Sequence, residues 1–441
     1  MDELRLTPGF SLSLGERTLT GTELAARARL IVSSLPQGRP IAFVARVDEP
    51  TLVLSLALFD AGIPFLPLHP RASEVERELL VRRANAVRVE PSALEPSAAA
   101  LPRSGEETAA LVATSGSTAE PKLVALPRRA FLASARASAA NLPLRPSDRW
   151  LLCLPFAHVG GLSILTRCLM AGSGVVAHPG FEPEALLELC ERQRVSVLSA
   201  VPAMLGPLFS ADGHGRLGRL RALLVGGAGC PSELRREACA RRVPLLTSYG
   251  LTETCSQIAT QRPGDAHDPE SLDSGQALPG AELRVQDGVL EVRGPMLANG
   301  YLGEPFAPDA FFRTGDLGEI DAAGRVYVHG RADDVLLCGG ENVHPESVER
   351  ALRAQPGVRD ALVFGAPDPR FGQVVAALLV LTPGLDPEPA LRRVLEGAAG
   401  SLSSFARPRR IACVAALPAN ALGKPDRRRA ARELASALKP C

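Results

Sequence analysis

From residue 41 to residue 246, short apolar runs alternate with longer stretches whose polar residues recur at helical spacing. No other feature limits the fold as strongly. A strand followed by a helix and then another strand favours parallel pairing, because parallel neighbours need a long crossover rather than a tight turn. The spacing predicts strands over 41–47, 65–68, 109–113, 150–154, 174–178, 195–200, 220–225 and 243–246. Helices are predicted over 51–61, 74–84, 128–141, 161–170, 183–192 and 231–240. Residues 91–107, rich in Ala, Ser and Pro, read as a surface linker.

After about Gly275 the pattern changes. The runs 282–285, 289–293 and 325–328 are short and separated by Asp287-Gly288 and Ala323-Gly324, which suits antiparallel hairpins. Beyond Gly330 come a helix over 345–354, strands over 358–364 and 374–381, a helix over 388–398 and a strand over 410–414. The expected fold class is α/β. A large N-terminal domain (1–330) has layered, mostly parallel sheets with helices and an antiparallel subdomain, and a small α+β domain (331–441) follows the hydrophilic stretch 331–334.

Composition narrows the function. Lys plus Arg number 49 against 48 Asp plus Glu, so no electrostatic footprint for nucleic acid or an anionic membrane exists. The local basic runs (Arg427 to Arg429, Arg235 with Arg236, Arg241 with Arg242) read as solvated helix faces. Nine cysteines show no CxxC pair and suit a reducing cytoplasm rather than a disulfide framework. No signal peptide or clean membrane-spanning run is expected.

Five segments carry chemistry. Thr114-Ser115-Gly116-Ser117-Thr118-Ala119-Glu120-Pro121-Lys122 follows an apolar strand. Its small hydroxyl residues and glycine can bring backbone N–H groups close to a polyphosphate, and Lys122 can add a point charge. It is not a Walker loop, since GxxxxGK[ST] is absent. Ser248-Tyr249-Gly250-Leu251-Thr252-Glu253 offers a ring for a base, a hydroxyl and a hard oxygen for Mg²⁺. Thr314-Gly315-Asp316 puts a carboxylate in a glycine turn. Gly330-Arg331-Ala332-Asp333-Asp334 precedes Gly339-Gly340-Glu341, and Gly423-Lys424-Pro425 lies near the C-terminus. Taken singly, each also reads as an ordinary turn, cap or exposed loop.

Together and in this order, they resemble the superfamily of acyl-CoA synthetases, nonribosomal-peptide adenylation domains and luciferases. The phosphate loop resembles TSG[ST]TGxPK, and the others its YGxTE, TGD, GRxDD hinge and terminal GK. Gly226-Gly227-Ala228 resembles the adenine-side loop, and residues 294–301 another shared segment. One departure is Ala119, where the family has glycine; a positive φ there would cost alanine about 1 kcal/mol.

The resemblance implies ATP, Mg²⁺ and coenzyme A as partners of a small-molecule carboxylic acid, with a homodimer as one expected assembly. It implies attack of the acid on the α-phosphorus of ATP, then thioester formation. Thr114, Ser115, Gly116, Ser117, Thr118 and Lys122 would handle phosphates. Thr252 would contact the α-phosphate, Glu253 hold Mg²⁺, and Tyr249 with Gly250 pack on adenine. Asp316 and Arg331 would hold ribose. Lys424 would bridge carboxylate and α-phosphate, then leave as a mobile small domain rotates about Asp333 and brings Gly339, Gly340 and Glu341 to the CoA tunnel.

His158, in Phe156-Ala157-His158-Val159-Gly160-Gly161, would gate the acyl pocket with Gly160, Gly226 and Ser248, by the same resemblance. The stretches from His158 and from Thr252 to Gln257 resemble the o-succinylbenzoate–CoA ligase branch of menaquinone biosynthesis. Such a dicarboxylate needs a second polar anchor, for which Arg167, Ser256 and Gln257 are candidates. Arg167 lies nine residues beyond His158, nearly the opposite face of a continuous helix, and so reads as half of a structural ion pair. Three alternatives stay open: another aryl- or acyl-CoA ligase, a carrier-protein-acylating adenylation enzyme, and a non-catalytic nucleotide-binding relative.

Overall fold

The computed structural model describes residues 6–36, 38–94, 108–114, 122–265, 268–338, 341–419, 425–434 and 437–440. Ser115, Gly116, Ser117, Thr118, Ala119, Gly339, Gly340 and Lys424 lie outside the described residues. The chain divides into two units. One comprises Met1–Arg284, Glu291–Phe312 and Ile320–Tyr327, and the other Val285–Leu290, Arg313–Glu319 and Val328–Cys441.

The first unit contains a seven-stranded sheet in the order Glu304–Pro305, Gly300–Tyr301, Lys122–Pro127, Thr108–Thr114, Phe65–Leu68, Ile41–Val44, Val87–Arg88. Ile41 stands opposite both Phe65 and Val87 in parallel pairings, and Phe65 opposite Ala110. The pairings of Lys122–Pro127 with Thr108–Thr114 and with Gly300–Tyr301 are antiparallel. A second set of strands runs parallel through Ser11–Leu14, Gly174–Ala177, Arg149–Leu152, Val197–Ala200, Ala222–Val225 and Leu245–Leu251. Ser256–Thr260 and Asp273–Ala277 extend it with antiparallel pairings. Phe43, Phe59, Phe65, Phe131, Trp150 and Phe156 are fully buried in one apolar cluster of this unit.

The predicted α/β layering is therefore observed, with local differences. The helix predicted from residue 51 starts at Glu49, because the Asp48 side chain accepts from the Thr51 N–H and Pro50 fits the first turn; it stops where Gly62 turns left-handed at φ 70°. The sequence reading missed the hairpin Ser11–Leu14 with Arg17–Thr20 and the helix Gly21–Val32 behind it. That helix opens with a capping box in which Thr20 and Glu23 satisfy each other's backbone N–H groups. It also missed the strand Lys122–Pro127 and the helix Pro202–Ala211.

Two basic residues are not the solvated faces expected. Arg235 is only 6% exposed and donates to the carbonyls of Cys230 and Asp273. Arg427 donates to Asp334 at 3.2 Å, to Glu349 at 2.8 Å and to the Val363 carbonyl at 3.0 Å. Both runs mix such anchors with exposed arginines, a distinction composition cannot make.

In the second unit, Val358–Asp368, Gly372–Leu381, Arg410–Cys413 and Lys439–Pro440 form a four-stranded sheet. The helices Pro345–Arg353, Pro387–Ala399 and Arg427–Glu433 accompany it, with a hairpin of Leu336–Cys338 and Glu341–Val343. Leu352, Val363, Ala377 and Leu379 form its core. Asp287 and Gly288 take φ values of 51° and 74°, the paired left-handed conformation that the Asp-Gly signal predicts. Among the described residues no helix is long and apolar enough to cross a membrane.

Candidate active site

In the first unit, Thr114 ends one strand and Lys122 begins the next, directly opposite it. The strand Gly300–Tyr301 pairs along the other edge of Lys122–Pro127, with Tyr301 opposite Val124. That register carries the Lys122 ammonium over the Tyr301 ring, 4.4 Å from its centroid. The Tyr301 hydroxyl donates to Glu253 Oε1 at 2.9 Å. Lys122 and Glu253, far apart in sequence, are thus gathered around one phenol ring.

Glu253 and Thr252 lie in the tight turn between Leu245–Leu251 and Ser256–Thr260. The strand predicted to stop at residue 246 continues to Leu251, so Ser248, Tyr249 and Gly250 are strand residues. A Cβ on Gly250 would lie 2.0 Å from the Ser256 carbonyl oxygen, so only glycine lets the partner strand close here. Thr254, fully buried, accepts from the Leu251 N–H at 2.9 Å and donates to the Ser256 carbonyl at 2.8 Å. The turn holds Cys255 at φ 51° and Ser256 at φ 91°, a rare conformation for residues with a side chain.

Tyr249 is 8% exposed, so little of its ring is open to a base. Ser248 donates to the Val225 carbonyl at 3.1 Å, and its hydroxyl would sit 2.7 Å from a Cβ on Gly226. Gly227, at φ 81°, and Ala228 are exposed beside it. Ser248 and the glycine loop are therefore neighbours, as their shared assignment requires.

His158 is the N-cap of the helix Val159–Ala171, with extended backbone at φ −115° and ψ 154°. Its side chain makes no capping bond. Its ring instead lies against His69, with centroids 5.2 Å apart and planes tilted by 31°. His69 Nδ1 accepts from the Arg71 N–H at 3.0 Å. Burial, then the charges of Arg71 and Arg77, hold the His69 ring below the ordinary imidazole range. Gly160 follows in the first turn of the helix.

Arg167, on that helix, is 4% exposed and donates to Ser256 Oγ at 3.2 Å. Its guanidinium lies 5.5 Å from the Trp150 ring. Among the described residues no carboxylate pairs with it, and its Nε has no hydrogen-bond partner. The expected ion pair is absent. Burial pushes this guanidinium down to about 10, and the neighbouring Cys255 and Cys168 offset that only in part. Gln257 is turned to its own strand, where Nε2 donates to Thr260 Oγ1 at 2.5 Å.

In the second unit, Arg331 donates to Asp316 Oδ1 at 3.2 Å and to the Thr314 carbonyl at 2.9 Å. Gly315 turns at φ 75°, and a Cβ there would sit 2.8 Å from Arg331 Nη2. The pair is thus built into the turn. Burial alone would lower the Arg331 guanidinium, but the Asp316 charge and hydrogen bond outweigh it and the net direction is upward. Asp333 lies in the 3-10 turn Ala332–Asp334, 3.6 Å from Arg331. Glu341 is exposed at the start of its strand.

Among the described residues no three His, Cys, Asp or Glu side chains converge as a metal cage. Glu253 is a single half-exposed carboxylate with a hydroxyl on one oxygen. That suits Mg²⁺, which takes one or two carboxylates and completes its shell with water and phosphate oxygens. A groove of about 830 Å³ lined by residues such as Val47, Asp48 and Arg192 contains none of these motif residues.

Residues 88–302 match the family model "AMP-binding enzyme" and residues 347–424 the model "AMP-binding enzyme C-terminal domain". A 2-succinylbenzoate–CoA ligase of Bacillus pumilus is 33% identical over 444 residues, covering 91% of this chain and 89% of the relative. The o-succinylbenzoate CoA synthetase of Bacillus subtilis, solved with the acyl-adenylate intermediate OSB-AMP, matches with a TM-score of 0.85 at 28% identity, over 96% of this chain and 94% of that one. The same enzyme solved with ATP and magnesium ion matches with a TM-score of 0.84 at 29% identity, over 95% of each chain. Motif order, fold and relatedness agree that this chain belongs to the AMP-binding enzyme family.

Proposed function

We propose that this chain is an ATP-dependent 2-succinylbenzoate–CoA ligase that works through an acyl-adenylate. The observation that best supports a dicarboxylate is Arg167, a buried cation that no carboxylate of the described chain neutralises. A buried charge of this kind calls for a partner, and Ser256 beside it can complete a two-point anchor. The substrate's second carboxylate meets that need. Its reacting carboxylate then lies toward His158, which gates the pocket with Gly160, Gly226 and Ser248.

In the first step the carboxylate oxygen attacks the α-phosphorus. The bond to the bridging oxygen breaks, and pyrophosphate leaves with the electron pair. Catalysis here is positioning and charge stabilisation. Thr114, the residues Ser115 to Thr118 and Lys122 hold the β- and γ-phosphates, and Thr252 meets the α-phosphate. Glu253 is the residue that would hold Mg²⁺, which when bound neutralises charge on the phosphates. Asp316 and Arg331 take the ribose, while the exposed Gly227 and Ala228 take adenine, with Tyr249 and Gly250 offering it only the small part of the tyrosine ring that is open. Lys424 bridges carboxylate and α-phosphate. In the second step the CoA thiolate attacks the acyl carbon and AMP departs, with Asp333 as hinge and Gly339 to Glu341 at the thiol's path. A cytoplasmic, homodimeric enzyme completes the reading.

The test is ATP–pyrophosphate exchange with 2-succinylbenzoate, with and without CoA, beside a Lys424→Ala control. Exchange that disappears in the control, followed by thioester formation, supports the proposal. Exchange only with benzoate or fatty acids keeps the mechanism and discards the substrate.

A further inference from the structure

We propose that Tyr301 is a positioning residue that keeps the phosphate lysine and the metal carboxylate apart and correctly aimed. The inference rests on the roles proposed above for Lys122 and Glu253. The phenol touches both, with the ammonium 4.4 Å from the ring centroid and the hydroxyl 2.9 Å from Glu253 Oε1. No ion pair joins Lys122 to Glu253 among the described residues.

That arrangement has a chemical purpose. A direct lysine–carboxylate pair would spend each charge on the other, leaving less for phosphate and metal. A neutral phenol lets Glu253 keep its charge. It occupies one of about four lone-pair sites on the carboxylate and leaves the others for an ion. The ring face meanwhile holds the ammonium by its quadrupole, an interaction that a phosphate oxygen can supplement without displacing it.

The backbone shows why tyrosine can do this from a fixed place. Leu302 N–H donates to the Leu123 carbonyl at 2.8 Å, and Asn299 N–H to the Ala125 carbonyl at 2.9 Å. Ala298 N–H donates to the Glu253 carbonyl at 2.8 Å. One short segment therefore grips the main chain beside Lys122 and the main chain of Glu253 together. Gly300, at φ 140°, closes the hairpin that carries the ring, since a Cβ there would sit 2.4 Å from the Glu304 carbonyl oxygen. The ring packs edge-on against Phe306 at 5.5 Å.

The experiment compares full-length Tyr301→Phe and Tyr301→Leu with the unaltered enzyme in ATP–pyrophosphate exchange, varying Mg²⁺ and ATP separately. Losing a hydrogen bond to a charged group should raise the half-saturating Mg²⁺ of Tyr301→Phe about tenfold, with a smaller change in kcat. Tyr301→Leu also removes the ring under Lys122 and should add a rise of several-fold in the KM for ATP. A purely structural role would lower the melting temperature and leave the Mg²⁺ dependence in place. An unchanged Mg²⁺ dependence in Tyr301→Phe overturns the proposal. Glu253→Gln and Lys122→Met run alongside: if they are impaired and Tyr301→Phe is not, this inference alone fails. If they exchange normally, the roles assigned to Glu253 and Lys122 fall, and this inference with them.

Discussion

Replacing Arg167 with methionine should make the protein more stable and a worse enzyme. Arg167 is 4% exposed and donates to Ser256 Oγ, with no carboxylate to answer its charge. Burial lowers the guanidinium from its ordinary range to about 10, so holding the charge inside costs about 3 kcal/mol. That cost is present in full below pH 10 and lifts only as pH rises above it, where the unfolded chain still binds the proton. Methionine fills a similar space without a charge, so the unfolding free energy should rise by about 1–3 kcal/mol. The substrate's second carboxylate would meanwhile lose a buried partner worth about 2–4 kcal/mol, and kcat/KM for 2-succinylbenzoate should fall roughly 30- to 1000-fold. Benzoate, which has no second carboxylate, should lose less than about threefold. Thermal unfolding and exchange assays with the two acids read both effects. A lower melting temperature with equal losses for both acids would refute the reasoning and make Arg167 structural.

Gly250→Ala should unfold or inactivate the first unit, by more than about 3 kcal/mol in urea denaturation, since its Cβ would meet the Ser256 oxygen at 2.0 Å. Arg427→Met should destabilise the second unit by about 2–3 kcal/mol, because Glu349, 4% exposed, loses one of its two arginines. The folded His69 ring titrates below its ordinary 6.5, so the unfolded state binds more protons there and stability should fall as pH drops through 6.5. His69→Phe should flatten that limb when denaturation midpoints are compared between pH 5 and pH 7.5.

The sequence announced the parallel layers because each strand was short, apolar and followed by a helix-length run. The Glu253 and Asp316 segments stood out because their residue types suit metal and ribose, and the structure sets Glu253 beside Tyr301 and Asp316 beside Arg331. Arg167 read as half of an ion pair, and the sequence could not show that its guanidinium meets Ser256 Oγ with no carboxylate beside it among the described residues. The count of nine residues from His158 also assumed a helical residue where the chain has an extended N-cap at ψ 154°. Tyr301 was missed because its role depends on a pairing with Lys122–Pro127, a strand that ends on a proline and runs straight into the helix Arg128–Asn141. The hairpin of Ser11–Leu14 with Arg17–Thr20 escaped because its alternation of serine and leucine is brief, and only pairing with Gly174–Ala177 gives its apolar side chains a place to go.

The late arrival of Gly300–Tyr301 at the edge of Lys122–Pro127 also has a consequence during synthesis. The ribosome finishes the inner strands of that sheet long before it makes their last neighbours. At about 5–20 residues per second the wait is roughly 10–40 s. Through that interval the nascent chain carries an unpaired edge, the kind that recruits foreign strands. Pro127 closes one end of it, and Lys122 places a charge at the other. The lysine proposed to handle phosphate in the finished enzyme is therefore also placed to keep the unfinished one from aggregating.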